Sequence, residues 1–310
     1  MRISVTDRCN LRCKYCMPKD VKNIEHDNIM RYEEIMRICS AATQLGISNF
    51  KVTGGEPLVR RGCVDFIREL KRMPGVDSVT LTTNGVLLGE DIDELAGIGI
   101  DGINISLDAV NGARFMEITG FDRAEKVIST IRRCVQSGIK TKVNTVMMRE
   151  NEDQLISIAM LAENLPVDVR FIELMPIGHG RDFRWISADN VLARLRKLFP
   201  DLHYVDIKNG NGPASYYETM RLCGRIGIIG ANSHKFCADC NRVRLTSTGV
   251  LKPCLCYESG VDMRQLIRSG ATDEELVMAI AKAIHDKPAE HCFDGSDDIT
   301  EHRLMSQIGG

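Results

Sequence analysis

Residues 50–57 read FKVTGGEP, a short apolar run broken off by two glycines, a glutamate and a proline. The same pattern recurs: VTLTTNG at 79–85, INISLDA at 103–109 and VRFIELMP at 169–176, while the run at Ile3–Val5 leads into a cysteine-rich loop. Each is a strand-length run closed by small and polar residues. Six strands are predicted: Ile3–Val5, Phe50–Val52, Val79–Thr82, Ile103–Ser106, Lys142–Val146 and Val169–Ile172. Helical periodicity fills the intervals. Ile35, Ile38, Cys39, Ala42 and Leu45 share a face before Gly46; Val127, Ile128, Ile131, Cys134 and Val135 do so before Gly138; Leu155, Ile158, Ala159 and Ala162 form a third stripe. Such alternation implies a parallel sheet with right-handed crossovers. Six units without a seventh or eighth predict an α/β fold, a partial (βα)6 TIM-like barrel that stays open. Its polar motifs all fall at the C-terminal strand ends, where parallel barrels carry their chemistry.

From about Asp201 the alternation stops. Shorter strands, a glycine-rich stretch (Gly224–Gly230) and helical segments at Met263–Arg268 and Asp273–Ala283 follow. The expected division is a barrel over residues 1–200 and an extension over 201–310 that packs against the barrel's open side.

A net charge of −2 exerts no global pull on nucleic acid or anionic membrane, so an anionic ligand must be met by local basic residues. No stretch of 18 apolar residues appears, and the N-terminus has no secretory signal; a cytoplasmic protein is expected. Twelve cysteines are many for such a compartment, where disulfides are out of place. Six fall in two tight groups, which favours metal. Cys39, Cys63, Cys134 and Cys292 read as small buried hydrophobes or idle surface thiols.

Cys9, Cys13 and Cys16 are spaced C-x3-C-x2-C. Three thiolates from one loop suit three irons of a [4Fe–4S] cube and leave the fourth open. The alternative is a zinc site completed by His26. Cys237, Cys240 and Cys254 form a second trio around a hairpin over Asn241–Lys252 that turns near Ser247–Gly249. Here a four-cysteine zinc site completed by Cys256 or Cys223 is a serious competitor. Arg242 and Arg244 alternate on the hairpin and leave one face beside the centre, as for an anionic or hydrogen-bond-accepting substrate.

The C-x3-C-x2-C loop followed by GGEP resembles the radical S-adenosylmethionine superfamily. The run SHKFCADCNRVRLTSTGVLKPCL (233–255) and the terminal MSQIGG resemble the GTP 3′,8-cyclases, molybdenum cofactor biosynthesis protein A. The resemblance implies two [4Fe–4S] clusters, one on Cys9, Cys13 and Cys16 and one on Cys237, Cys240 and Cys254, with S-adenosylmethionine on the open iron of the first. It places Tyr15 near the adenine, gives Gly54 and Gly55 close approach to the cofactor and makes Glu56 an acceptor for its amine, with Ser106 and Met175 as further contacts. It implies that a 5′-deoxyadenosyl radical takes hydrogen from C3′ of GTP, and that GTP is lined by Arg2, Lys51, Thr82, Lys142, Arg170, Arg242 and Arg244. Two positions depart from what some members carry, because Lys51 stands where they have an arginine and Asn49 where they have a basic residue, so a phosphate contact is expected to be lost or supplied elsewhere. Cys9 also comes early, since the family usually has a further short segment before the cysteine loop. The terminal Gly309–Gly310 is expected to insert into the site. As partners the resemblance implies an electron donor and a next pterin-forming enzyme that receives the product, and it leaves room for a homodimer; no nucleic acid and no membrane are expected. Two other readings compete: a radical maturase acting on a peptide, and a zinc-bearing nucleic-acid-binding protein. The charge and the 5% aromatic content speak against the latter.

Overall fold

The computed structural model describes residues 1–310 except 18, 19, 22, 208, 294–298 and 310. Six parallel strands lie side by side in chain order: β1 (Arg2–Ser4), β2 (Asn49–Thr53), β3 (Ser78–Thr83), β4 (Gly102–Ser106), β5 (Thr141–Met147) and β6 (Asp168–Glu173). Each predicted strand is present, longer by a residue or two at one or both ends, except the first, which begins and ends one residue earlier. Period-two alternation gives the sheet two chemically distinct faces. Ile3, Val52, Leu81, Ile105, Val143 and Phe171 point to one side and are fully buried beneath the helices, against Ile35, Ile38, Phe66, Leu70 and Ile131. The register places Arg2 beside Lys51, Thr82 beside Asn104, Asn104 beside Lys142 and Asn144 beside Arg170 on the other side. A closed barrel of this type fills its interior with apolar layers. This one presents polar and cationic residues there, as a barrel that admits a charged ligand must.

The helix Tyr32–Gln44 and the helix Ala124–Gln136 match the predicted stripes. The third stripe is broken at Met160 into short helices Leu155–Ala159 and Leu161–Asn164.

The extension completes the sheet from both edges. After β7 (His203–Val205) and β8 (Ser215–Glu218), β9 (Ile226–Ile229) pairs parallel to β6. β10 (Arg244–Leu245) pairs parallel to β1, and β11 (Val250–Lys252) and β12 (Val261–Asp262) follow antiparallel. Among the described residues the twelve-stranded sheet therefore runs β12-β11-β10-β1-β2-β3-β4-β5-β6-β9-β8-β7 and does not close. Two more parallel strands thus exist than the sequence pattern suggests, because β9 and β10 arrive outside any strand–helix unit. The predicted hairpin is β10–β11; its turn includes Gly249 at φ +89°, where a Cβ would meet Arg264 and Met30. Helix Met263–Arg268 falls where expected, and helix Asp273–His285 starts on a Thr272–Glu275 capping box and packs on Tyr32–Gln44. Among the described residues no helix is long and apolar enough to cross a membrane.

Candidate active site

The loop after β1 carries Cys9, Cys13 and Cys16 and is held from two sides. Arg12 and Lys14 donate their backbone N–H groups to Thr119 (2.8 Å) and Ile118 (3.0 Å) at the end of helix Gly112–Thr119. On the other side the GGEP turn lies directly on the loop. Gly55 N donates to Thr6 O at 2.7 Å and Glu56 N to Arg8 O at 2.8 Å. A Cβ on Gly54 would stand 2.7 Å from Thr6 O, and one on Gly55 2.5 Å from Arg8 O. The close approach that demands these glycines is therefore to the cysteine loop itself.

The three thiols lie near enough to act on one another. Burial pushes Cys16 up to about 12, with Cys9 and Asp108 adding to it, and burial also raises Cys13 and Cys9. Leu11 N and Asn84 Nδ2 donate to Cys9 Sγ at 3.4 and 3.7 Å. Such crowded, desolvated thiols ionise only against positive charge, which iron would supply; the donor set fits a cluster. His26 does not join them: its side chain is 95% exposed beside Asp27. Among the described residues no three His, Cys, Asp or Glu side chains close on a single metal ion.

Glu56 is fully buried and accepts from Thr83 Oγ1 (2.8 Å), Asn84 N (2.7 Å) and Leu58 N (3.1 Å), which ties the GGEP turn to the TTNG turn. Burial pushes it up to about 7 against the pull of those donors. Tyr15 donates its hydroxyl to Asp108 Oδ2 at 2.7 Å, and Asp108 Oδ1 accepts from Val146 N at 2.9 Å, so the aromatic ring is fixed from the SLDA motif. Asp108, Asn84 and this bracing role of Glu56 were not assigned from sequence, although all three residues lie in motifs that end strands. Ser106 ends β4, half-buried beside Asn144. Met175, half-buried after β6, packs with Ile177, Leu255 and Ile308.

Inside the barrel the cations gather. Arg2 is pushed down by burial and then by Arg244, Arg242 and Arg170; Lys51 by burial and then by Arg2, Arg170, Lys142 and Arg242. Burial and Arg170 bring Lys142 down to about 7 against the nearby Asp168, while burial and Arg242 bring Arg244 down to about 10. Arg170 donates to Asn144 Oδ1 (2.9 Å) and Asn104 Oδ1 (2.6 Å), and Asn104 Nδ2 lies 3.5 Å from Thr82 Oγ1. Lys142 Nζ donates to Asn209 O (2.6 Å) and Tyr216 OH (3.0 Å). The expected substrate residues are thus brought into one field, with Asn104 and Asn144 as organisers that carry no sequence signal.

At the second trio Cys254 feels both Cys237 and Cys240. Burial raises Cys240, yet Arg242, a backbone N–H and Lys287 outweigh it and draw the thiol down. Arg242 Nη2 and Lys287 Nζ lie 3.6 and 3.4 Å from its sulfur, and the Arg242 guanidinium sits 4.7 Å over the Phe236 ring. A thiol poised to ionise fits a metal ligand. Arg242 precedes β10 instead of lying in it, but still reaches the Arg244 side of the strand pair. Lys287 was not foreseen, since it lies far along the chain. Neither competing ligand takes its expected place: Cys223 is exposed and donates to Glu163 O, and Cys256 faces Cys292 at 3.0 Å. Cys292 is therefore not idle.

The C-terminus reaches into the same space. The backbone N–H of Ser306 donates to Cys16, and Arg244 Nη1 donates to Gly309 O at 2.7 Å. Gly309 has φ +76°, and a Cβ there would stand 2.9 Å from Ser4 Cβ. Tail insertion holds for Gly309; Gly310 lies outside the described residues. Gly309→Ala is expected to displace the tail and lower turnover at least about tenfold with iron content unchanged, read by a rate assay beside an iron assay.

The model of the Radical SAM superfamily matches residues 3–162, and that described as Molybdenum Cofactor Synthesis C matches residues 167–293. A GTP 3′,8-cyclase of Clostridium perfringens is 41% identical over all of this chain and 97% of its own length. Another, of Desulforamulus reducens, is 40% identical with the same coverage. Among solved structures, Streptococcus suis SuiB bound to S-adenosylmethionine aligns over 98% of this chain and 72% of its own, with a TM-score of 0.67 and 15% identity, which shows a shared fold. With 41% identity to a curated relative over its whole length, both cysteine trios, the cationic interior and the inserted tail, the chain belongs to the GTP 3′,8-cyclase family of the radical S-adenosylmethionine superfamily.

Proposed function

We propose that the chain cyclises GTP to (8S)-3′,8-cyclo-7,8-dihydroguanosine 5′-triphosphate in molybdenum cofactor biosynthesis, with S-adenosylmethionine and two [4Fe–4S] clusters. One observation carries this reading: inside the barrel burial, and after it neighbouring cations that include Arg170 and Arg242, hold Arg2, Lys51, Lys142 and Arg244 below their ordinary values, while Asp168 opposes the shift at Lys142. Cations held together against their own repulsion call for a polyanion such as a triphosphate.

Cys9, Cys13 and Cys16 would hold the first cluster and Cys237, Cys240 and Cys254 the second. When bound, the first centre with its sulfonium cofactor supplies a 5′-deoxyadenosyl radical to the C3′ hydrogen of GTP. Tyr15, Gly54, Gly55, Ser106 and Met175 shape the cofactor's side of the space. Glu56 fixes the two turns that bound it and remains the acceptor proposed for the cofactor's amine. Arg2, Lys51, Lys142 and Arg170 bind the phosphates; Thr82 positions the nucleotide; Arg242 and Arg244 orient it between the second centre and the tail. Barrel and extension divide at about residue 200, where helix Ala188–Leu198 ends. A cytoplasmic location, an external electron donor, a homodimeric state and delivery of product to the next pterin-forming enzyme belong to the same proposal. A peptide maturase has no use for this cation field, and the likeness to SuiB extends to fold alone.

The test is anaerobic incubation with reductant, S-adenosylmethionine and GTP deuterated at C3′. Deuterium should appear in 5′-deoxyadenosine; deoxyadenosine formed without need of GTP would overturn the reading. Arg242→Ala should weaken GTP binding about ten- to a hundredfold, the loss of a charged hydrogen-bond donor, and spare cofactor cleavage, as measured by calorimetry and a deoxyadenosine assay.

Lys142 adds a pH signature. With its ammonium brought down to about 7 in the free protein, it is largely neutral at pH 8. A bound triphosphate favours the charged form, so binding at pH 8 should take up protons, and affinity should fall as pH rises above 7. Calorimetry in buffers of different ionisation enthalpy measures that uptake, which Lys142→Met should reduce.

A further inference from the structure

Cys256 and Cys292 have no place in the chemistry above. Cys256 is fully buried, just past the second trio; Cys292 is half-buried on the segment that leads toward the tail. Their sulfurs stand 3.0 Å apart, and Cys292 N donates to Cys256 Sγ at 3.4 Å. The segment is held along the second trio by other contacts. His291 N donates to Cys237 Sγ at 3.4 Å, Tyr257 OH to Glu290 O at 3.2 Å, and Lys235 Nζ pairs with Glu290 at 3.4 Å. Glu301 N donates to Cys256 O at 3.2 Å. The two sulfurs therefore need to approach by only about 1 Å to reach bonding distance.

We propose that Cys256 and Cys292 are a modification site, a dithiol that closes reversibly by exchange with a low-molecular-weight disulfide and does not ligate iron. Cys292 is the accessible partner. Its thiolate attacks one sulfur of the small disulfide, forms a mixed disulfide and releases the first small thiol. Cys256 then attacks the Cys292 sulfur, closes the internal bond and releases the second small thiol. Two electrons pass from the pair to the small disulfide, and the pair's two protons end on the released thiols. In a reducing compartment the bond reopens, so the site responds to redox poise and is not a permanent staple. Closure fixes the segment that carries His291 against Cys237. It also removes two thiols that would compete for iron beside a three-thiol centre.

The test uses the anaerobically purified holoprotein, treated with oxidised glutathione, blocked with N-ethylmaleimide and digested without reduction. A peptide pair joining Cys256 to Cys292 is expected, reversed by dithiothreitol and absent in Cys292→Ser, with about eight irons per chain retained by both proteins. Exposed Cys223 should take up glutathione and so report that the oxidant acts. The proposal fails if Cys256 and Cys292 are both alkylated while Cys223 is glutathionylated. It fails equally if the pair forms only as iron is lost, or if Cys292→Ser holds half the iron. The wild-type peptide map does not depend on the variant's folding, and none of these readouts depends on GTP turnover.

Discussion

Cys13→Ala is expected to abolish deoxyadenosine formation and reduce iron from about eight to about four per chain, the difference between two cubes and one. Cys13 sits in the middle of a loop held by helix Gly112–Thr119 on one side and the GGEP turn on the other. Its thiol is surrounded by Cys9, Cys16 and Asp108, with no lysine or arginine among the groups that act on it most strongly. A cube anchored by three thiolates has no spare protein ligand, so loss of one leaves it unheld. The second trio is a separate centre with its own cations, Arg242 and Lys287, and should keep its iron. Anaerobic iron and sulfide analysis beside a cofactor-cleavage assay reads both effects. Retention of about eight irons would mean that the loop does not hold a cluster in this way.

The largest stability effect is expected from Glu301→Ala. Lys252 and Glu301 form a salt bridge in which neither side chain has any exposure. Glu301 also accepts from Arg303 N at 2.8 Å and from Arg303 Nε at 3.0 Å, and Arg181 Nη2 donates to its backbone carbonyl at 3.2 Å. Removing the carboxylate strands a buried ammonium, which costs about 3–5 kcal/mol. A denaturant midpoint measures this, and Lys252→Met with Glu301→Leu should recover most of the loss because apolar replacement removes both charges. Burial raises Glu301, but Arg303 and Lys252 outweigh it and hold the carboxyl below its ordinary value. That contribution is present above the ordinary carboxylate range and is lost as pH falls through the depressed folded value. The gap between wild type and Glu301→Ala should therefore narrow in acid. Because Glu301 starts the segment that delivers Ser306 to Cys16 and Gly309 to Arg244, turnover should fall even where the fold survives.

Much of the barrel was legible because strand and helix periods are local properties. An apolar run ended by GGEP or TTNG says where a parallel strand stops, and three cysteines within eight residues need no tertiary contact to be recognised as one ligand set. The fold class, both thiol trios and the pairing of Arg242 with Arg244 follow from such spacing, while the family resemblance supplied the other basic residues and the roles of all of them. What spacing cannot show is which distant segments meet. β9 and β10 join opposite edges of the sheet, Lys287 reaches Cys240, Cys292 faces Cys256, and Glu301 finds Lys252. Glu56 reads locally as a ligand for something bound, and only the fold shows that it also braces two turns through Thr83 and Asn84. Those pairings were settled by burial and by the need of each buried charge for a partner. Both are properties of the packed chain, and no window of sequence contains them.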